Sequence, residues 1–135
     1  MSWAYDFQAA VRAALTGEEA LAGWPVVDGG VAGLRPPFVT LGPDLMTDES
    51  GVAARLVRLR FAVTLWAGGE SVAGLKPAMA AAEQAVLASD PDLPGAALVR
   101  LSPINGRTRR DARAGLVRGD LDFEAMVQIV DEEDA

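Results

Sequence analysis

The sequence predicts an α+β fold in two layers, a four-stranded antiparallel or mixed sheet with two helices on one face, in the order α-β-β-α-β-β. Three observations carry this. Val57, Leu59, Phe61, Val63 and Leu65 take every second position within 56–67. Side chains alternate faces along a strand, so that stretch has one wholly apolar face. The same period returns over 116–130, where Val117, Gly119, Leu121, Phe123, Ala125, Val127 and Ile129 alternate with Arg118, Asp120, Asp122, Glu124, Met126 and Gln128. Two other stretches, 3–16 and 70–89, repeat their apolar residues in steps of three and four, the helical period.

In chain order, Trp3, Phe7, Val11 and Ala14/Leu15 give the first helix one apolar stripe, with Ser2 as its N-cap and Gly17 as its stop. Trp3 and Phe7 read as core aromatics rather than a binding box. Residues 18–37 form a connection marked by Trp24-Pro25, Asp28-Gly29-Gly30 and Pro36-Pro37, with Val26-Val27 as a short extended piece. Gly29-Gly30 is no phosphate loop, because no Lys-Ser/Thr follows it. Phe38–Leu41 is a short strand. Asp44–Ala54, with Asp48, Glu49, Ser50 and Gly51, reads as a solvated loop and lacks the spacing of a calcium site. The long strand 56–67 ends at Gly68-Gly69.

Leu75, Met79, Ala82 and Val86 give the second helix its stripe, with Ser71 as a cap. Pro77 requires either that regular helix begins near it or that the first turn is kinked. Asp90–Gly95 is a stop, Ala97–Leu101 a third strand, and Asn105-Gly106 a hairpin-type turn leading into Arg107–Arg113. The fourth strand covers 116–130, and Asp131–Asp134 form an acidic, frayed end. By analogy with a circularly permuted ferredoxin-like motif, the sheet order is third, fourth, second, first, with the two long strands adjacent and antiparallel. Arg58 and Arg60 then face Asp120, Asp122 and Glu124 across the two strands as a ladder of ion pairs. That pairing gives the three carboxylates a structural role rather than a metal-binding or acid–base one.

Composition narrows function. A chain of 135 residues suits one domain, spanning 1–135, that buries roughly 65–70% of its unfolded surface. It has no cysteine and no histidine, which removes disulfides, thiolate ligands, the usual general base at neutral pH and any Ser-His or Cys-His pair. No catalytic residue, metal or cofactor is expected. No stretch is apolar enough to span a bilayer, and the start carries no secretory signal, so a cytoplasmic protein with no membrane partner is expected. The net charge of −7 disfavours general nucleic-acid binding but tolerates a channel through which DNA slides.

Against that acidic background, Arg107, Arg109, Arg110 and Arg113 fall within seven positions. One reading is a solvated hairpin tip. The other is docking onto an acidic surface, because the planar guanidinium pairs carboxylates in a bidentate way. The acidic surfaces on offer are Asp48 and Glu49 in the loop and Asp131, Glu132 and Glu133 in the tail, reached on another copy of the chain; nucleic acid is a further acceptor. Charge segregated in this way suits head-to-tail self-association into a ring.

Five pieces taken together resemble a known family: Pro-Pro-Phe-Val-Thr-Leu-Gly (36–42), Arg-Phe-Ala-Val-Thr-Leu-Trp (60–66), an alanine-rich helix opened by Gly-Gly (68–88), Leu-Val-Arg-Leu (98–101), and Gly-Arg-Thr-Arg-Arg (106–110) before a last alternating strand. Their order over residues 5–129 resembles the tail-terminator (tail-completion) proteins of siphophages and phage-derived gene transfer agents. The departure is at 111–119, longer and richer in glycine than the usual tight hairpin. The resemblance implies a structural protein, not an enzyme, that forms a hexameric ring at the head-proximal end of the tail tube. Its partners would be further copies, the tail tube protein and the stopper or head-completion protein, with DNA only in transit through the lumen. It would be assembled in the cytoplasm and end in the tail or neck of the particle. The Gly106–Arg110 turn and the Asp44–Ala54 loop would be contact elements. Two other readings are a dimeric ferredoxin-like ligand- or partner-binding module, which would run as two copies rather than six, and a nucleic-acid accessory factor acting through Arg107–Arg113, which would retain DNA in a salt-dependent way.

Overall fold

A computed structural model describes residues 2–27, 35–42, 44–69, 72–111, 113 and 115–130. Asp28–Gly30, Ser71 and the acidic end from Asp131 lie outside the described residues. The two long alternating stretches are the centre of the sheet: β4 (Arg55–Gly68) and β6 (Leu116–Ile129) pair antiparallel in unbroken register from Arg55↔Ile129 to Gly68↔Leu116. Their apolar faces therefore coincide. Leu59, Phe61, Val63 and Leu65 join Val117, Leu121, Phe123, Ala125 and Val127 in one buried layer.

Both helices cover that layer. α1 (Ser2–Thr16) already includes Ser2, and it buries Trp3, Phe7, Val11 and Leu15, one residue per helical turn. Phe7 meets Phe61 edge-on at 5.5 Å, and Phe61 stacks on Phe123 at 5.3 Å. α2 (Leu75–Leu87) begins later than the periodicity suggests. Pro77 is its third residue, within the first turn, where a missing N–H breaks no intrahelical bond. α2 packs close to the sheet because Gly119 of β6 lies beneath Met79; a Cβ there would stand 2.5 Å from the Met79 sulfur.

The sheet is mixed and has six strands, not four, and the element order is α-β-β-β-β-α-β-β. β1 (Val26–Val27) pairs parallel with β2 (Phe38–Leu41), which pairs antiparallel with one end of β4. The stretch expected as the Asp44–Ala54 loop contains a further strand, β3 (Leu45–Asp48), antiparallel to the other end of β4. Leu41 faces Val63 but Leu45 faces Arg60, so the pairing onto β4 slips by one residue between β2 and β3. The acidic and glycine residues at 48–51 signal a turn correctly, but they mask the extended Leu-Met-Thr before them.

The last two strands also depart from the expected hairpin. β5 (Ala96–Asp111) is one strand of 16 residues antiparallel to β6, and Asn105-Gly106 is not a turn. The register shifts between Leu98 and Arg100 and again between Pro103 and Asn105, so Val99 and Ile104 are the extra residues of two bulges, while Asn105 and Gly106 pair regularly with Asp122 and Leu121. A Cβ on Gly106 would lie 3.2 Å from Leu121 Cδ2 and 3.7 Å from Met79 Cε, so glycine serves packing there. The reversal falls after Asp111 and enters β6 through Gly115, whose φ of +66° suits a residue without Cβ. Within the sheet the order is β1-β2-β4-β6-β5, with β3 beside β4. The four strands expected from sequence are therefore neighbours in the expected succession, inside a larger sheet.

Candidate docking interface

The face of the sheet away from the helices is polar and basic. Alternation places Arg58, Arg60, Ala62, Thr64 and Trp66 of β4 on it, opposite Met126, Glu124, Asp122, Asp120 and Arg118 of β6. β5 adds Arg100, Ser102, Asn105, Arg107 and Arg109 to the same rows, opposite Met126, Glu124, Asp122, Asp120 and Arg118. Two carboxylates organise it. Glu124 is reached by Arg60 at 3.2 Å, Arg100 at 3.5 Å and Arg58 at 4.0 Å. Asp120, only 5% exposed, accepts a hydrogen bond from the Thr64 hydroxyl at 2.9 Å and is approached by Arg118 at 3.2 Å, Arg109 at 3.5 Å and Arg107 at 3.8 Å. The Arg118 guanidinium also lies over the Trp66 ring, 5.1 Å from its centroid.

The expected ladder thus exists, but with different partners. Only Arg60 and Glu124 are directly opposed; Asp120 faces Thr64 and Asp122 faces Ala62. The guanidiniums around Asp120 come from β5 and from β6 itself. Sequence reasoning missed this cluster because it placed Arg107 and Arg109 at a hairpin tip. The two-residue step Asn105, Arg107, Arg109 was the available signal, since it repeats the strand period opposite Asp122 and Asp120.

Arg110 and Arg113 are exposed, the first at the end of β5 and the second in the reversal that follows. Asp48 and Glu49 lie at the opposite edge, where β3 turns back to β4. Glu49 meets Arg58 at 2.7 Å. The Asp48 carboxylate accepts from the Ser50 amide at 2.9 Å. The Ser50 side chain first, and that amide bond second, hold the Asp48 carboxyl below its ordinary value. The basic and acidic candidate residues are therefore not brought together within one chain: β3 borders the sheet on one side and β5 on the other.

Both edges carry apolar side chains in solvent. Leu45 is 61% and Met46 45% exposed on β3, and Val52 at the tip of the β3–β4 arm is fully exposed. On β5, Val99 is 56% and Ile104 44% exposed. Among the described residues no group of carboxylates is placed to hold a metal ion, and no helix is long and apolar enough to cross a membrane.

A family model described as tail completion protein gp17 matches residues 9–128. The chain belongs to that family. Its fold also matches a chain of a structure titled "Virion of native gene transfer agent (GTA) particle", with a TM-score of 0.80 and 30% identity, over 94% of this chain and 98% of that one. No curated protein matches the sequence. Membership of the tail-completion family makes this a structural protein of a phage-type tail. The match begins within α1 and ends within β6, so it takes in both sheet edges and the Asp120 and Glu124 clusters.

Proposed function

We propose that the chain closes the head-proximal end of a tail tube. Copies of it, six by the resemblance, form a ring that ends tube polymerisation and offers its other side to the stopper or head-completion protein, with DNA passing through the lumen. The role is structural, not enzymatic. The protein is made in the cytoplasm and resides in the tail or neck of a phage or gene transfer agent particle. The observation that carries this reading is the near end-to-end likeness to a chain of a gene transfer agent virion, joined to the tail-completion family match. Arg107, Arg109, Arg110 and Arg113 on one side, and Asp48 and Glu49 on the other, are the proposed contact residues, along with Asp131, Glu132 and Glu133 beyond the described chain.

A reconstitution tests it. Purified chain is added to polymerising tail tube protein, and tube lengths are measured by electron microscopy. Growth is expected to halt at amounts far below one copy per tube subunit, since one ring suffices for each tube. Unchanged tube lengths at equimolar chain would contradict the reading.

A further inference from the structure

We infer that, in the ring proposed above, the β3 arm of one copy adds to the β5 edge of the next, so that the sheet continues from copy to copy. Among the described residues β3 pairs only with β4 and β5 only with β6. Each therefore presents a row of backbone N–H and C=O groups to whatever lies alongside. Three antiparallel pairings separate the two edges (β3 with β4, β4 with β6, β6 with β5), so β3 and β5 run in opposite directions. A second copy set beside the first meets it in an antiparallel ladder, the arrangement that pairs directly opposed residues.

Side chains specify the same contact. The arm offers Asp48 and Glu49 with exposed Leu45 and Met46; β5 offers Arg107, Arg109 and Arg110 with exposed Ile104. Two arms together would oppose carboxylates, and two β5 strands would oppose guanidiniums, so like-with-like pairing is disfavoured. The contact is therefore heterologous, the kind that propagates into a ring or a filament. Register narrows it further. Pro103 and the two bulges interrupt the first part of β5, whereas Asn105–Asp111 pairs with β6 without a shift. That straight, arginine-bearing segment is long enough for the four residues of β3.

The chain has no cysteine, so engineered disulfides report only the designed contact. Thr47→Cys on the arm is mixed in separate trials with Asn105→Cys, Arg107→Cys and Arg109→Cys. All four lie on the outer face, and the three β5 positions are spaced two residues apart to cover the stagger between copies. Mixtures are oxidised at high concentration and on tail tubes, while light scattering and native mass report assembly independently. The expected result is a mixed disulfide in at least one mixture, in at least tenfold excess over the disulfide formed by any variant alone. Assembly without a mixed disulfide in any mixture overturns the edge contact and leaves the ring reading standing. Thr47→Cys joining itself as readily also overturns it, as does cross-linking of the arm to the tube protein alone. Neither assembly nor mixed disulfide, in solution or on tubes, counts against both.

Discussion

Gly119→Ala is the most informative single change in the core. The new methyl would stand 2.5 Å from the Met79 sulfur, 2.9 Å from its Cγ and 3.1 Å from its Cε, where optimal contact is about 3.5–4.0 Å. Met79 is itself buried at 8% exposure, in the middle of α2, so it must leave its rotamer or lift the helix. Overpacking of this kind costs about 1–3 kcal/mol. Replacing glycine by alanine within a strand returns roughly 0.5–1 kcal/mol. The net expectation is a loss of about 0.5–2 kcal/mol, read as a lower urea midpoint with unchanged slope. Met79→Ala alone should cost about 2–5 kcal/mol through the cavity it leaves. In that background Gly119→Ala should become neutral or stabilising, giving a coupling of about 1–3 kcal/mol in the double-mutant cycle. An equal penalty in both backgrounds would refute the close approach of α2 to β6.

Three further outcomes follow from the polar face and the arm. Asp120→Ala leaves the Thr64 hydroxyl without its acceptor and three guanidiniums without their shared counter-charge; since those arginines remain partly hydrated, a loss of about 2–3 kcal/mol is expected, and an unchanged unfolding midpoint would contradict the cluster. Asp48, held below its ordinary carboxyl value chiefly by Ser50, stabilises the arm at pH above that ordinary value, and the contribution disappears as pH falls through the lowered one. A carboxyl NMR titration should show the Asp48 midpoint moving up towards 3.8 in Ser50→Ala; no movement would remove Ser50 as the cause. Replacing Arg107, Arg109 and Arg110 together by Ala should leave the circular dichroism spectrum intact, because these side chains are exposed and Asp120 keeps Arg118 and the Thr64 hydroxyl as partners, yet abolish joining of tails to heads. Normal joining would show that these arginines are not contact residues.

Where burial decides, sequence was a good guide. The alternation in 56–67 and 116–130 located the two central strands, and the helical stripes located α1 and α2, because one face of each element had to be apolar. Pattern failed where burial is slight. β3 is exposed along its whole length, so nothing in its hydrophobicity separates it from a loop; backbone pairing to β4 alone makes it a strand. Asn105-Gly106 failed for a different reason. The same dipeptide that favours a tight turn is compatible with continuous strand pairing, and the choice depends on α2 and Leu121 closing over Gly106, a tertiary fact. The Asp120 cluster was hidden by that one error, since a turn at 105–106 breaks the period that places Arg107 and Arg109 on the face of β6.

Tail length in particles made without this chain tests the central claim most directly. If the chain ends the tube and seats the head, electron micrographs of particles from cells lacking it should show tubes of widely spread length with no heads attached, and restoring the chain should restore both. Tails of uniform, normal length joined to heads in its absence would contradict the account.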